Sequence, residues 1–256
     1  MNILYMLTSL DEDGDGQIVF DPSWEIFDIN VSFSTSIFDK SGESFGDRLY
    51  SISPNGEVFA YGLSKSGSDW CTIHFKNVIK ADFYPDKLKK VKDSCLSWTH
   101  DSQGLIYERY PDIQTYHDIK VYYHLLGTMQ SEDQIIVEFE DNPTWELKAK
   151  VSECGHYLIV FTAQDCGGKS RVFYTKLLDS YESKPVLLPI VKDFEADYNY
   201  ITNTGSLFYF LTNEGAPNSR ILSVITFPDE DRDPQWNCIV EEHPKNVLDW
   251  ASCVNQ

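Results

Sequence analysis

The sequence predicts an all-β fold, a partial β-propeller of about four four-stranded blades occupying residues 1–256, on three observations. A glycine marker recurs about every fifty residues, at Gly56, Gly104, Gly155 and Gly205. Each marker leads into an apolar, aromatic-rich run, and a second such run opens about fifteen residues after it. Aromatic residues make up 14% of the chain, a composition that suits sheets packed face to face.

Taken in order, the first element is a hairpin joining Ile3-Leu4-Tyr5-Met6 to Ile18-Val19-Phe20 through an acidic turn. That turn, within Asp11-Glu12-Asp13-Gly14-Asp15-Gly16-Gln17-Ile18, copies the first eight positions of a calcium-binding EF-hand loop. Position twelve must supply a bidentate Glu and is Pro22, and the residues after the turn read as a strand. The hairpin is therefore preferred, with a calcium-binding module as the lesser alternative. Ser23 to Asp47, unusually apolar around Trp24 to Ile29 and Phe33, has no evident place in a blade.

The four units then follow. Ser53-Pro54-Asn55-Gly56 precedes Glu57 to Tyr61, and Asp101-Ser102-Gln103-Gly104 precedes Leu105-Ile106-Tyr107. Ser152-Glu153-Cys154-Gly155 precedes Tyr157 to Phe161, and Asn203-Thr204-Gly205 precedes Leu207 to Phe210. The marked glycines are expected to take the positive φ that a tight hairpin needs, and the β-branched and aromatic runs fit a half-buried pleated surface. Second strands open at Trp70-Cys71-Thr72-Ile73, Val121 to His124, Arg171 to Tyr174 and Ile221 to Val224. Further strands are read at Ile135-Ile136-Val137, Val186-Leu187-Leu188 and Cys238-Ile239-Val240, and one leads into a marker at Tyr198 to Ile201. A β-sandwich would also give many short strands, but not a nearly constant glycine-to-strand distance.

Composition narrows the function classes. The formal charge of −19 opposes nucleic-acid binding, and the basic residues form only short patches such as Lys87-Leu88-Lys89-Lys90. No run approaches the roughly 18 apolar residues that cross a bilayer, and the N-terminus has no secretory signal, so no membrane partner is expected and the expected location is cytoplasmic. The six cysteines are dispersed without a C-x-x-C pair and read as buried free thiols; the sequon Asn30-Val31-Ser32 reads as chance. No cofactor or metal motif is present, and there is no G-x-S-x-G elbow, so no catalytic residue is assigned. His124 and His156 lie in or beside strands and read as hydrogen-bonded structural residues.

Several strings carry more information than the periodicity. Phe59 to Ser64 with Gly67-Ser68-Asp69-Trp70, Trp98-Thr99-His100-Asp101, Tyr122-Tyr123-His124 with Leu126-Gly127-Thr128-Met129-Gln130-Ser131-Glu132-Asp133, and Glu242 to Trp250 occur in this order. Together they resemble the propeller domain of the prolyl oligopeptidase family, most clearly from about Ser51 onward. The resemblance implies a seven-bladed propeller that caps an α/β-hydrolase domain with a Ser-Asp-His triad and admits short peptides cleaved after proline. The family's nucleophile string, Gly-Gly-Ser-x-Gly-Gly, is absent, as is any hydrolase domain, so this polypeptide is expected to be inactive alone. The expected partners are short proline-containing peptides and the hydrolase domain of the full-length protein.

The same resemblance supplies substrate-pocket candidates. The family's pocket cysteine corresponds to Cys166, and the arginine three residues before it is replaced by Ala163. An apolar aromatic position is Asp93 here, and a methionine position is Glu146. Two added carboxylates would favour a basic side chain in the substrate. The loop from Pro111 to His117 is shorter than the flexible segment usual near the family's substrate entrance. The alternative function is a stand-alone peptide- or protein-binding propeller fragment.

Overall fold

The computed structural model describes residues 4–6, 17–20, 43–65, 68–114, 116–165, 167–177, 184–226 and 234–253, with the backbone alone before Leu49. The acidic turn, the sequon, most of Ser23 to Asp47 and Cys166 lie outside the described residues.

Strands β1 (Leu4–Met6) and β2 (Gln17–Phe20) pair antiparallel, as the hairpin reading required. Four four-stranded antiparallel sheets follow. The first is β3 (Glu43–Ile52), β4 (Val58–Lys65), β5 (Cys71–Asn77) and β6 (Phe83–Val91), in that order. The second runs from β7 (Ser97–Trp98) through β8 (Gly104–Arg109) and β9 (Lys120–Leu125) to β10 (Gln134–Val137). The third holds β11 (Glu146–Val151), β12 (Tyr157–Ala163), β13 (Ser170–Lys176) and β14 (Leu188–Val191). The fourth holds β15 (Tyr198–Thr204), β16 (Leu207–Thr212), β17 (Arg220–Ile225) and β18 (Trp236–Val240). Four sheets of consecutive strands joined as meanders are blades of a partial β-propeller. No helix among the described residues is long and apolar enough to cross a membrane.

Three departures from the sequence reading have physical causes. The glycines at 56, 155 and 205 take positive φ, but Gly104 does not: it opens β8, and Ser102 holds the left-handed position at φ 61°. A Ser or Thr begins each of the first three turns and fixes its register. Ser53 N–H donates to Val58 O, Thr99 N–H to Gly104 O and Ser152 N–H to Tyr157 O, so the fourth turn residue is Gly56, Ser102 or Gly155. Strand β14 begins at Leu188, two residues later than read, where its pairing with β13 carries an irregularity. Strand β6 was read only as a basic patch, yet Leu88 is fully buried between exposed lysines on the sheet's edge strand.

The chain divides into two compact units, Met1–Leu105 with His124–Asp133, and Ile106–Tyr123 with Gln134–Gln256. The first buries Phe59, Tyr61, Ile73, Phe75 and Leu88. In it the segment after β9 folds onto β6. Gln130 receives the Lys89 N–H on Oε1 at 3.1 Å and donates Nε2–H to Lys89 O at 3.0 Å, so its amide imitates one rung of a neighbouring strand. The second unit has two apolar clusters, one around Val121, Leu147, Val160 and Phe173, the other around Val172, Tyr198, Phe208 and Phe210.

Candidate functional site

Strict alternation in β11 sends Leu147, Ala149 and Val151 into the core and leaves Glu146, Lys148 and Lys150 outward. Glu146 faces Ala163 directly across the β11–β12 ladder, and Ala163 faces Ser170 across β12–β13. Two of the expected pocket positions, Glu146 and Ala163, are thus cross-strand partners, one exposed and one half-buried. The hairpin beyond Ala163 contains Cys166, which lies outside the described residues. Within it Asp165 Oδ1 accepts the Gly167 N–H at 2.7 Å and Gly168 takes φ 70°.

One row behind this edge, Arg171 faces Thr162. Its guanidinium lies over the rings of Phe173, Trp145 and Phe194, at 5.2, 5.4 and 5.5 Å. Such an aromatic enclosure holds a cation without a carboxylate. The sequence reading identified neither Arg171 nor its rings as a group, because they come from β13 and from two loops.

Asp93 lies in the first unit, exposed just past β6 at φ 48°. Beside it, burial, then Asp93, then Asp69 push the Cys71 thiol up to about 11, so that sulfur stays protonated and inert. Lys92 pairs with Asp69 at 3.0 Å and lies over Trp70 at 5.9 Å, which ties down the Ser68-Asp69-Trp70 part of the family-like string. Asp93 and the Glu146–Ala163 pair occupy corresponding places in their own sheets, the end where the second strand turns into the third.

No group of His, Cys, Asp and Glu among the described residues is arranged to hold a metal. His124 is fully buried with both ring nitrogens facing carboxylates, as a structural histidine should be. The thiols are free, but the expectation that all are buried fails: of those described, Cys71 is buried, Cys95 and Cys154 are half-buried, and Cys238 and Cys253 are exposed.

The model of the prolyl oligopeptidase N-terminal beta-propeller domain matches residues 42–256. Prolyl oligopeptidase A of Amanita bisporigera is 31% identical over 270 residues, covering 96% of this chain and 33% of its own length. The dual function macrocyclase-peptidase POPB of Galerina marginata is 30% identical, with 89% and 33% covered. The structure of prolyl oligopeptidase B from Galerina marginata bound to a 25mer macrocyclization substrate superposes with a TM-score of 0.82 at 27% identity, covering all of this chain and 36% of that one. The chain spans about a third of the length of these relatives. Four blades, the matched model and these identities together place the chain in the prolyl oligopeptidase family, as N-terminal β-propeller sequence.

Proposed function

We propose that this propeller is the gating portion of a cytoplasmic serine endopeptidase that cleaves short peptides after proline, with an α/β-hydrolase domain of the full-length protein supplying nucleophile, base and oxyanion hole. The observation that carries the reading is the match of residues 42–256 to the family's propeller model, with Glu146 and Ala163 paired across one blade end. Free thiols at all five described cysteines support a reducing compartment.

Substrate selection rests on the same positions. Ala163 removes the guanidinium expected from the family and Glu146 puts a carboxylate at the same blade end, while Asp93 puts one at the corresponding end of its own blade, and each of these changes favours a basic substrate side chain. Exposed Ile239 and Val240 on the outer strand of the fourth blade support a longer propeller, because such an edge needs cover.

The test is cleavage of matched proline peptides carrying Lys or Glu near the scissile bond, using the full-length protein. Cleavage after proline with a several-fold higher kcat/KM for the Lys peptide, reduced in D93N and E146Q, supports the reading. Absence of proline-specific cleavage overturns the gating role, and cleavage with no charge preference overturns the pocket assignment.

A further inference from the structure

The row of side chains near the head of the third blade carries two polar groups that nothing satisfies. Thr162 faces Leu147 on one side and Arg171 on the other, and all three leave the sheet on the same face. The next row on that face is Ala149, Val160 and Phe173, which is wholly apolar. Thr162 Oγ1 and Arg171 Nε are both buried, and neither has a hydrogen-bond partner. Thr162 is only 1% exposed, so its hydroxyl has no recourse to solvent, and Leu147 offers it no acceptor or donor. A buried polar group left unpaired is costly, and here two such groups stand side by side.

The charge on Arg171 is also uncompensated. The chain has 40 acidic residues, yet among the described residues no carboxylate pairs with this guanidinium. Glu146 is one register position away, but strand alternation sends it to the opposite face with Ala163 and Ser170. The rings of Phe173, Trp145 and Phe194 hold the guanidinium in place and supply no acceptor for its N–H groups. Trp145 and Phe194, with ring centroids 5.2 Å apart, are half-buried like Arg171 itself, so the enclosure reaches the surface at an apolar rim.

We propose that Arg171 and Thr162 bind the free terminal carboxylate of a short peptide. The Arg171 Nε–H and the Thr162 hydroxyl are donors on one face of the sheet. A carboxylate oxygen accepts from both, and its charge answers the guanidinium that the fold leaves alone. The rim of Trp145 and Phe194 receives the residue that bears the carboxylate, which separates a peptide terminus from a small inorganic anion. The identity of that residue as proline rests on the gating reading, because cleavage after proline leaves such a terminus on the product.

The experiment is calorimetric titration of the full-length protein with N-acetylproline, N-acetylprolinamide and inorganic phosphate. N-acetylproline should bind, and the amide and phosphate should bind about tenfold more weakly or not at all. R171K keeps the charge and loses the guanidinium fork, and should weaken N-acetylproline about tenfold. T162V removes only the hydroxyl and should weaken it about three- to tenfold, while leaving the melting temperature of the unliganded protein unchanged or raised, since an unpaired polar group is gone. Equal binding of the amide or of phosphate would overturn the proposal, as would undiminished binding in both variants, which would put the carboxylate elsewhere in the protein. A lowered melting temperature in T162V would also overturn it, by showing that the hydroxyl is already bonded in the unliganded fold. None of these readouts uses peptidase activity: a protein that binds N-acetylproline here and fails to cleave after proline would lose the gating role and keep the site.

Discussion

His124 Nδ1 lies 2.7 Å from Asp133 Oδ1, and both side chains are wholly buried. On the other face of the ring, Nε2 is 3.4 Å from Asp86 Oδ2 on β6, and that oxygen also accepts the Gly127 N–H at 2.5 Å. Phe75 stacks on the imidazole at 5.5 Å. With the Gln130–Lys89 exchange, these bonds fasten the Leu126-to-Asp133 string to the outer strand of the first blade.

Removing one partner of a buried hydrogen bond leaves the other unsatisfied. Asp133→Ala should therefore lower the unfolding free energy by about 1–3 kcal/mol, and Asp133→Asn, which keeps an acceptor, by less. Urea titrations of the two variants check this, and equal losses would mean that the oxygen's hydrogen bond to His124 matters little.

That fastening also explains how much was legible in the sequence. The string Leu-Gly-Thr-x-Gln-Ser-Glu-Asp was distinctive as text: its Gln and final Asp each make a side-chain bond that few other residues could make, and its Gly takes φ 91° where its N–H meets Asp86. The blades were legible because turn and strand chemistry is local. Gly104 misled because the turn is set from its first residue, Thr99, which puts Ser102 at the bend. Strand β6 was obscured by Pro85 and its lysines, an edge-strand composition that resembles a solvated loop. The surroundings of Cys154 could not be read at all, since its donor Asn203 comes from the next blade, 49 residues away.

Ser102 combines a strained backbone with a useful hydroxyl. Its φ of 61° disfavours an L side chain by about 1 kcal/mol, while its Oγ accepts the Asn55 N–H at 3.1 Å. Ser102→Ala loses the bond and keeps the strain, so it should cost about 1 kcal/mol; Ser102→Gly should fall within about 0.5 kcal/mol of wild type, as strain relief offsets the lost bond. A thermal denaturation series separates the two.

Gly62 is a packing glycine, unlike the turn glycines. A Cβ there would meet Leu49 Cδ2 at 2.7 Å, whereas one at Gly56 meets nothing within 4 Å. Gly56→Ala should cost about 1 kcal/mol through its φ of 74° alone. Gly62→Ala should cost about 1–3 kcal/mol through overpacking, and adding Leu49→Ala should recover part of it. Additive losses in the double variant would exclude the contact as the cause.

His74 gives the first blade a pH dependence of defined sign. Burial, and then Lys87 directly across the β5–β6 ladder, hold its imidazole down to about 4, and Tyr61 stacks on it at 5.7 Å. The unfolded chain takes this proton near 6.5, so between about 4 and 6.5 the unfolded state binds more protons than the folded one. Above 6.5 neither state is protonated and the residue adds no pH slope. As pH falls from 6.5 towards 4, stability declines by up to about 1.4 kcal/mol per unit, and the loss levels off below 4 at roughly 3–3.5 kcal/mol. His74→Gln lowers stability at neutral pH by removing the stacked ring, yet the gap between wild type and variant should narrow as the solution is acidified. Guanidinium titrations of both proteins from pH 4 to 8 measure that gap, and a constant gap would show that His74 titrates alike in the folded and unfolded chains.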